Sequence, residues 1–71
     1  MTTSTLQLMD SLSEDLAALQ IDESKITAFA EQIQGAPVSP IALSVLTDSG
    51  AVGVVRVRAF ARVTTDLRKS I

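Results

Sequence analysis

Residues 35–40 read Gly-Ala-Pro-Val-Ser-Pro, and no other stretch restricts the chain as strongly. Two prolines in four residues hold the backbone extended and withdraw two amide donors, so a helix arriving from either side ends here. The chain is thus two halves joined by a linker at 35–40. The halves differ in charge. Up to Ala36, six acids (Asp10, Glu14, Asp15, Asp22, Glu23, Glu31) stand against the single base Lys25, a balance of −5. From Pro37 onward, five bases (Arg56, Arg58, Arg62, Arg68, Lys69) stand against Asp48 and Asp66, a balance of +3. The overall charge of −2 conceals this division. Such a layout implies complementarity within a chain, complementarity between chains, or two segments with separate tasks.

Length sets the next limit. Seventy-one residues make one small domain, and a chain of this size buries roughly 60% of the surface it exposes when unfolded. Small domains are usually reinforced by disulfides, a metal or a partner chain. Cysteine and histidine are both absent, which removes disulfides and the commonest zinc sites and leaves only carboxylates, suited to hard cations. Self-association is the reinforcement that remains. Phe29 and Phe60 are the only aromatics, so the core is expected to be aliphatic. No apolar run reaches the ~20 residues of a membrane span. The opening "MTTSTLQLMD" lacks the basic region of a secretory signal, and a cytoplasmic location without membrane association is expected.

The acidic half reads as a helical hairpin over 4–34. Ser4 and Gln7 have capping-box spacing, and Met9, Leu12, Leu16 and Leu19 follow along one stripe, predicting a helix over 4–20. Asp22 suits an N-cap, with Glu23 favoured at the positive end of the helix it opens. Ile26, Phe29, Ala30 and Ile33 recur at helical spacing over 23–34, with Gly35 as a left-handed cap and Pro37 as a stop.

The basic half admits two readings. "IALSVLT", "DSG" and "AVGVVRVRAFARVTT" have the composition of a β-hairpin over 41–65 with a tail at 66–71. Pairing Thr47 with Ala51 sets Val45 against Gly53, Leu43 against Val55 and Ile41 against Val57 on one face, which would pack on the helices. An α+β fold follows, a two-helix hairpin packed on a C-terminal β-hairpin. The alternative is all-α with four short helices. Ser39 then caps a helix opened by Pro40, while Val57, Phe60, Ala61, Thr64, Leu67 and Ile71 share one side of another. The β-branched residues of 52–65, and Gly53, favour the strand.

In the strand reading, Arg56, Arg58, Phe60, Arg62 and Thr64 point outward, opposite Val55, Val57, Ala59, Ala61 and Val63. Residues 59–65 extend beyond the first strand and lack an intrachain partner, so a second copy or a protein partner would cover them. The candidate partner-binding residues are Arg56, Arg58, Phe60, Arg62 and Val63, with the acids Asp10, Glu14 and Asp15 as counterparts for Arg58 and Arg62, within or between subunits. A basic, partly aromatic face also suits nucleic acid, as an alternative that a sequence pI near 4.7 disfavours.

Nothing points to catalysis. Without His, Cys, Tyr or Trp, the available acid–base and nucleophilic groups are carboxylates, Lys25, Lys69 and hydroxyls. Asp10 and Glu14, one helical turn apart, read as a solvated helix face, and the three glycines form no phosphate-binding loop. No enzyme activity, cofactor or metal is expected. The expected function is a non-catalytic interaction or assembly module, acting through self-association or a protein partner.

The boundary at Ile33, Gly35 and Ala36 supports a reading of another class. An acidic helical leader ending in Gly-Ala before a cationic Gly-, Ala- and Val-rich segment resembles precursor peptides with double-glycine-type leaders. That resemblance implies a leader of 1–36 that docks a processing or export enzyme, cleavage after Ala36, and a ribosomally made product of 37–71. Gly35 is equally accounted for as a helix cap.

Overall fold

The computed structural model describes residues 3–70, and these form four helices: α1 (Thr3–Ala17), α2 (Glu23–Gln32), α3 (Pro40–Thr47) and α4 (Gly53–Lys69). The fold is all-α, with no strand among the described residues, which overturns the α+β expectation and its β-hairpin over 41–65. Each helix packs on its neighbours in the chain, and α4 closes the ring against α1.

The acidic half forms the expected helical hairpin, with different details. α1 is described from Thr3 onward, so Ser4 and Gln7 lie inside it and do not cap it. It ends at Ala17. Leu19 N–H donates to the Leu16 carbonyl (3.0 Å) and Gln20 N–H to that of Asp15 (2.8 Å), the bond pair of a Schellman termination. Leu19 occupies its left-handed position (φ 56°) and is 61% exposed, so it terminates the helix and is no part of the core stripe. Asp22 caps α2 as expected, its Oδ1 accepting from Ser24 N–H (3.0 Å) and Lys25 N–H (3.3 Å). Gly35 has φ 82° with open space around its Cβ position, so backbone conformation alone calls for glycine there.

The basic half is helical because the helix period buries more than the strand period. Ser39 accepts from Ala42 N–H (3.3 Å) with Pro40 in the first turn, and α3 buries Ala42 and Leu46. In α4, Ala59, Phe60, Val63 and Leu67 fall on one side and are all buried. A strand would turn Phe60 to solvent and leave a two-stranded ribbon of marginal stability. Nor does Gly53 weigh against the helix, since it is the first residue of α4, outside the interior where its propensity penalty applies. The β-branched residues lose a few tenths of a kcal/mol each in a helix. Burying a Val, Leu or Phe returns about 1.5–3 kcal/mol. The unpaired overhang at 59–65 disappears too, because a helix pairs its own backbone.

All four helices supply the core: Met9, Leu12 and Leu16 from α1, Ile26 and Phe29 from α2, Leu46 from α3, and the α4 row, with Ile33 just past α2. The two aromatics meet there, ring centroids 5.6 Å apart at an interplanar angle of 54°, a tilted contact worth about 0.5–1.5 kcal/mol beyond area burial.

Candidate functional site

Helical spacing separates the arginines that a strand would have aligned. At 100° per residue, Arg56 and Arg58 differ by 200° and point to opposite sides of α4. Arg56 faces inward and is 2% exposed. Its Nη1 and Nη2 donate to Glu23 Oε2 (2.5 Å) and Oε1 (2.7 Å), while Nε (3.0 Å) and Nη2 (2.9 Å) donate to the Leu46 carbonyl. One guanidinium thus ties the first turn of α2 to the end of α3 and the first turn of α4. The Arg56 hydrogen bonds hold the Glu23 carboxyl below its ordinary range. No buried side-chain polar atom among the described residues lacks a partner.

Two further ion pairs are structural. Lys25 Nζ donates to Ser11 Oγ and Asp15 Oδ2, both at 2.9 Å, joining α1 to α2 and raising the Lys25 pKa, chiefly through the Asp15 bond. Asp66 Oδ2 accepts from Ser39 N–H (2.9 Å), and its carboxylate accepts from Arg62 Nε (3.2 and 3.3 Å). The Ser39 amide is the main cause of a lowered Asp66 pKa, with Arg62 second. α3 is thereby fixed at both ends, by Asp66 at its start and Arg56 at its finish.

The expected site residues therefore divide. Arg58 and Arg62 lie on the exposed side of α4; Arg56, Phe60 and Val63 are interior and bear on stability. Asp10 and Glu14 are exposed on α1, whereas Asp15 is engaged by Lys25. Glu23 and the Leu46 carbonyl went unread as partners of Arg56. The sequence held a signal for them, because Arg56, Phe60, Val63 and Leu67 are spaced i, i+4, i+7 and i+11. An arginine in an apolar stripe needs a carboxylate and a carbonyl.

The exposed side of α4 carries Val54, Val55, Arg58, Ala61, Arg62, Thr65 and Arg68. Val54 and Val55, in the first turn of α4, are 55% and 46% exposed, and Val52, which caps that helix, is 69% exposed. At the opposite end a cleft of about 590 Å³ lies among Leu6, Gln32, Ile33, Gly35, Leu67 and Ser70. None of the described residues lining it is acidic or basic. Among the described residues no three carboxylates gather as a metal site, and no helix is long and apolar enough to cross a membrane. Ala36, the cleavage position implied by the precursor resemblance, lies between α2 and α3, and its N–H donates to the Ile33 carbonyl (3.0 Å). The segment after it supplies Ala42, Leu46 and the α4 row to the common core.

The chain matches no protein-family model, and comparisons with curated proteins and with solved structures return no match.

Proposed function

We propose that this chain is a small non-catalytic interaction module whose working surface is the exposed side of α4. The carrying observation is the row Val54, Arg58, Ala61, Thr65 and Arg68, with Val55 and Arg62 beside it, exposed along a helix whose other side holds the core. Apolar and cationic residues alternating along one helix suit an acidic protein surface. The valines supply desolvated area, and the guanidiniums supply orientation and an attractive field. Both phenylalanines are buried, so neither offers a ring to a nucleic-acid base.

The reading is tested with a photo-crosslinking residue placed at Thr65 in the full chain expressed in cells, and a control probe at Glu31 on α2. Protein adducts at position 65 that vanish in R58E/R62E are expected. Adducts to nucleic acid would replace this reading with the polyanion alternative. Absence of adducts, or equal adducts from position 31, would overturn it.

A further inference from the structure

On that reading, α3 extends the working surface beyond α4 and narrows the class of partner. α3 has no charged residue, and besides its buried Ala42 and Leu46 it carries Ile41, Leu43 and Val45. A helix with apolar residues on every side is ordinarily covered all round. α3 is not: Ile41 is 78% exposed, more than any other large apolar residue described.

Two contacts fix how α3 lies on α4. Ser39 N–H, at its start, donates to Asp66 late in α4, and the Leu46 carbonyl, near its end, accepts from Arg56 early in α4. The two helices are therefore antiparallel neighbours facing one core. A local two-fold relation joins such a pair, so the flank turned to the neighbour is the same flank on both. On α4 that flank holds Arg62, which precedes buried Val63 by one residue and bonds Asp66. On α3 the matching residues precede buried Ala42 and Leu46 by one residue, and these are Ile41 and Val45. Val55, Arg58 and Arg62, at i, i+3 and i+7, form the α4 side of the seam. The Leu46–Arg56 contact sets Val45 toward Val55, and the Ser39–Asp66 contact sets Ile41 toward Arg62.

The seam thus carries an apolar row beside a cationic one. Arg58 has no hydrogen bond or ion pair to a described residue. Arg62 is engaged only through Nε, to Asp66, and its side chain is 65% exposed. Asp66 itself is largely covered and held by the Ser39 amide, so no exposed carboxylate of α4 offsets the two guanidiniums.

We propose that the seam between α3 and α4 docks an acidic amphipathic helix of a partner protein. The apolar stripe of that helix covers Ile41, Val45 and Val55, and carboxylates beside the stripe face Arg58 and Arg62. A straight seam between two antiparallel helices seats one row of side chains, which a helix supplies at i, i+3 or i+4, and i+7. The sign of the partner's charge follows from the two guanidiniums. A bilayer fits less well, because these five residues include no aromatic or leucine to enter its acyl region.

The test is selection of a displayed library of helices of about four turns, ~14 residues each, on the immobilised full chain. Enriched sequences should carry apolar residues at i, i+4 and i+7 with Asp or Glu beside that stripe. They should bind I41D and R58E/R62E, each checked for helicity, about tenfold or more weakly than wild type. Should R58E/R62E fail to fold, I41D, altered at an exposed position, carries the test alone. No enrichment, enrichment of basic helices, or binding unchanged in I41D overturns the proposal. So does a wild-type dimer in sedimentation that I41D disperses, which gives the seam to a second copy. Binding to phosphatidylserine vesicles that I41D abolishes, with no helix enriched, gives it to a lipid surface. Protein adducts from the position-65 probe without enriched helices remove the seam and keep the module. Failure of both removes both.

Discussion

The two sides of α4 hold the same residue type under opposite conditions. Arg56, on the inner side, has a carboxylate and a carbonyl within 3.0 Å and almost no contact with water. Arg58, two residues later, lies exposed on the outer side. Arginine therefore acts here as an internal strut and as a surface charge, and helical phase alone assigns the role. The inner side belongs to stability, and the outer side is open to solvent.

Substitutions that separate the two sides test this division. The largest expected loss is Phe60→Ala, which removes the tilted contact with Phe29 and opens a cavity, costing about 3–5 kcal/mol. That is a large share of the stability of so small a domain, and thermal unfolding should lose its cooperative transition or shift far downward. Arg56→Ala comes next. It strands the Leu46 carbonyl, while the half-exposed Glu23 carboxylate returns to water, at a cost of about 1–3 kcal/mol by urea denaturation. A loss below about 1 kcal/mol would show that Arg56 is no strut.

Acid should act on the same inner connections. Glu23 and Asp66 both titrate below their ordinary values in the fold. Their stabilisation is therefore complete above the unfolded carboxylate values near 4 and is lost as pH falls through the lowered ones. The acid limb of a stability profile should flatten in E23Q and in D66N; an unchanged limb in both would show that these contacts do not form in solution. The smallest effect belongs to the outer side. Arg58→Ala should leave monomer stability within about 0.5 kcal/mol, measured by urea denaturation at a concentration where wild type and variant are both monomeric. A loss comparable to that of Arg56→Ala would dissolve the distinction.

Much of the acidic half was legible because its signals are local. Asp22 is followed by a helix whose amides its side chain reaches, and Leu12, Leu16, Ile26 and Phe29 repeat at helical spacing. Leu19 fitted that spacing equally well but lies past the end of α1. Periodicity carries no information on where a Schellman turn closes when the left-handed residue is not glycine. In the basic half the local signals conflicted, since "VVRVRAFARV" alternates like a strand while Arg56, Phe60, Val63 and Leu67 repeat like a helix. β-branched content pulled the reading one way, and burial in the assembled core settled it the other.

By itself the sequence determined the break at 35–40, the acidic and basic halves, the cap at Asp22, and a core with no aromatics beyond Phe29 and Phe60. Those properties follow from residue type and near-neighbour spacing. Only the tertiary structure decided that the basic half is helical, that Arg56 is interior, and that Asp66 anchors the start of α3. Each depends on groups that meet across 10, 27 or 33 residues of chain. The gain from such meetings appears when the four helices close on one another, and no short window of sequence contains it.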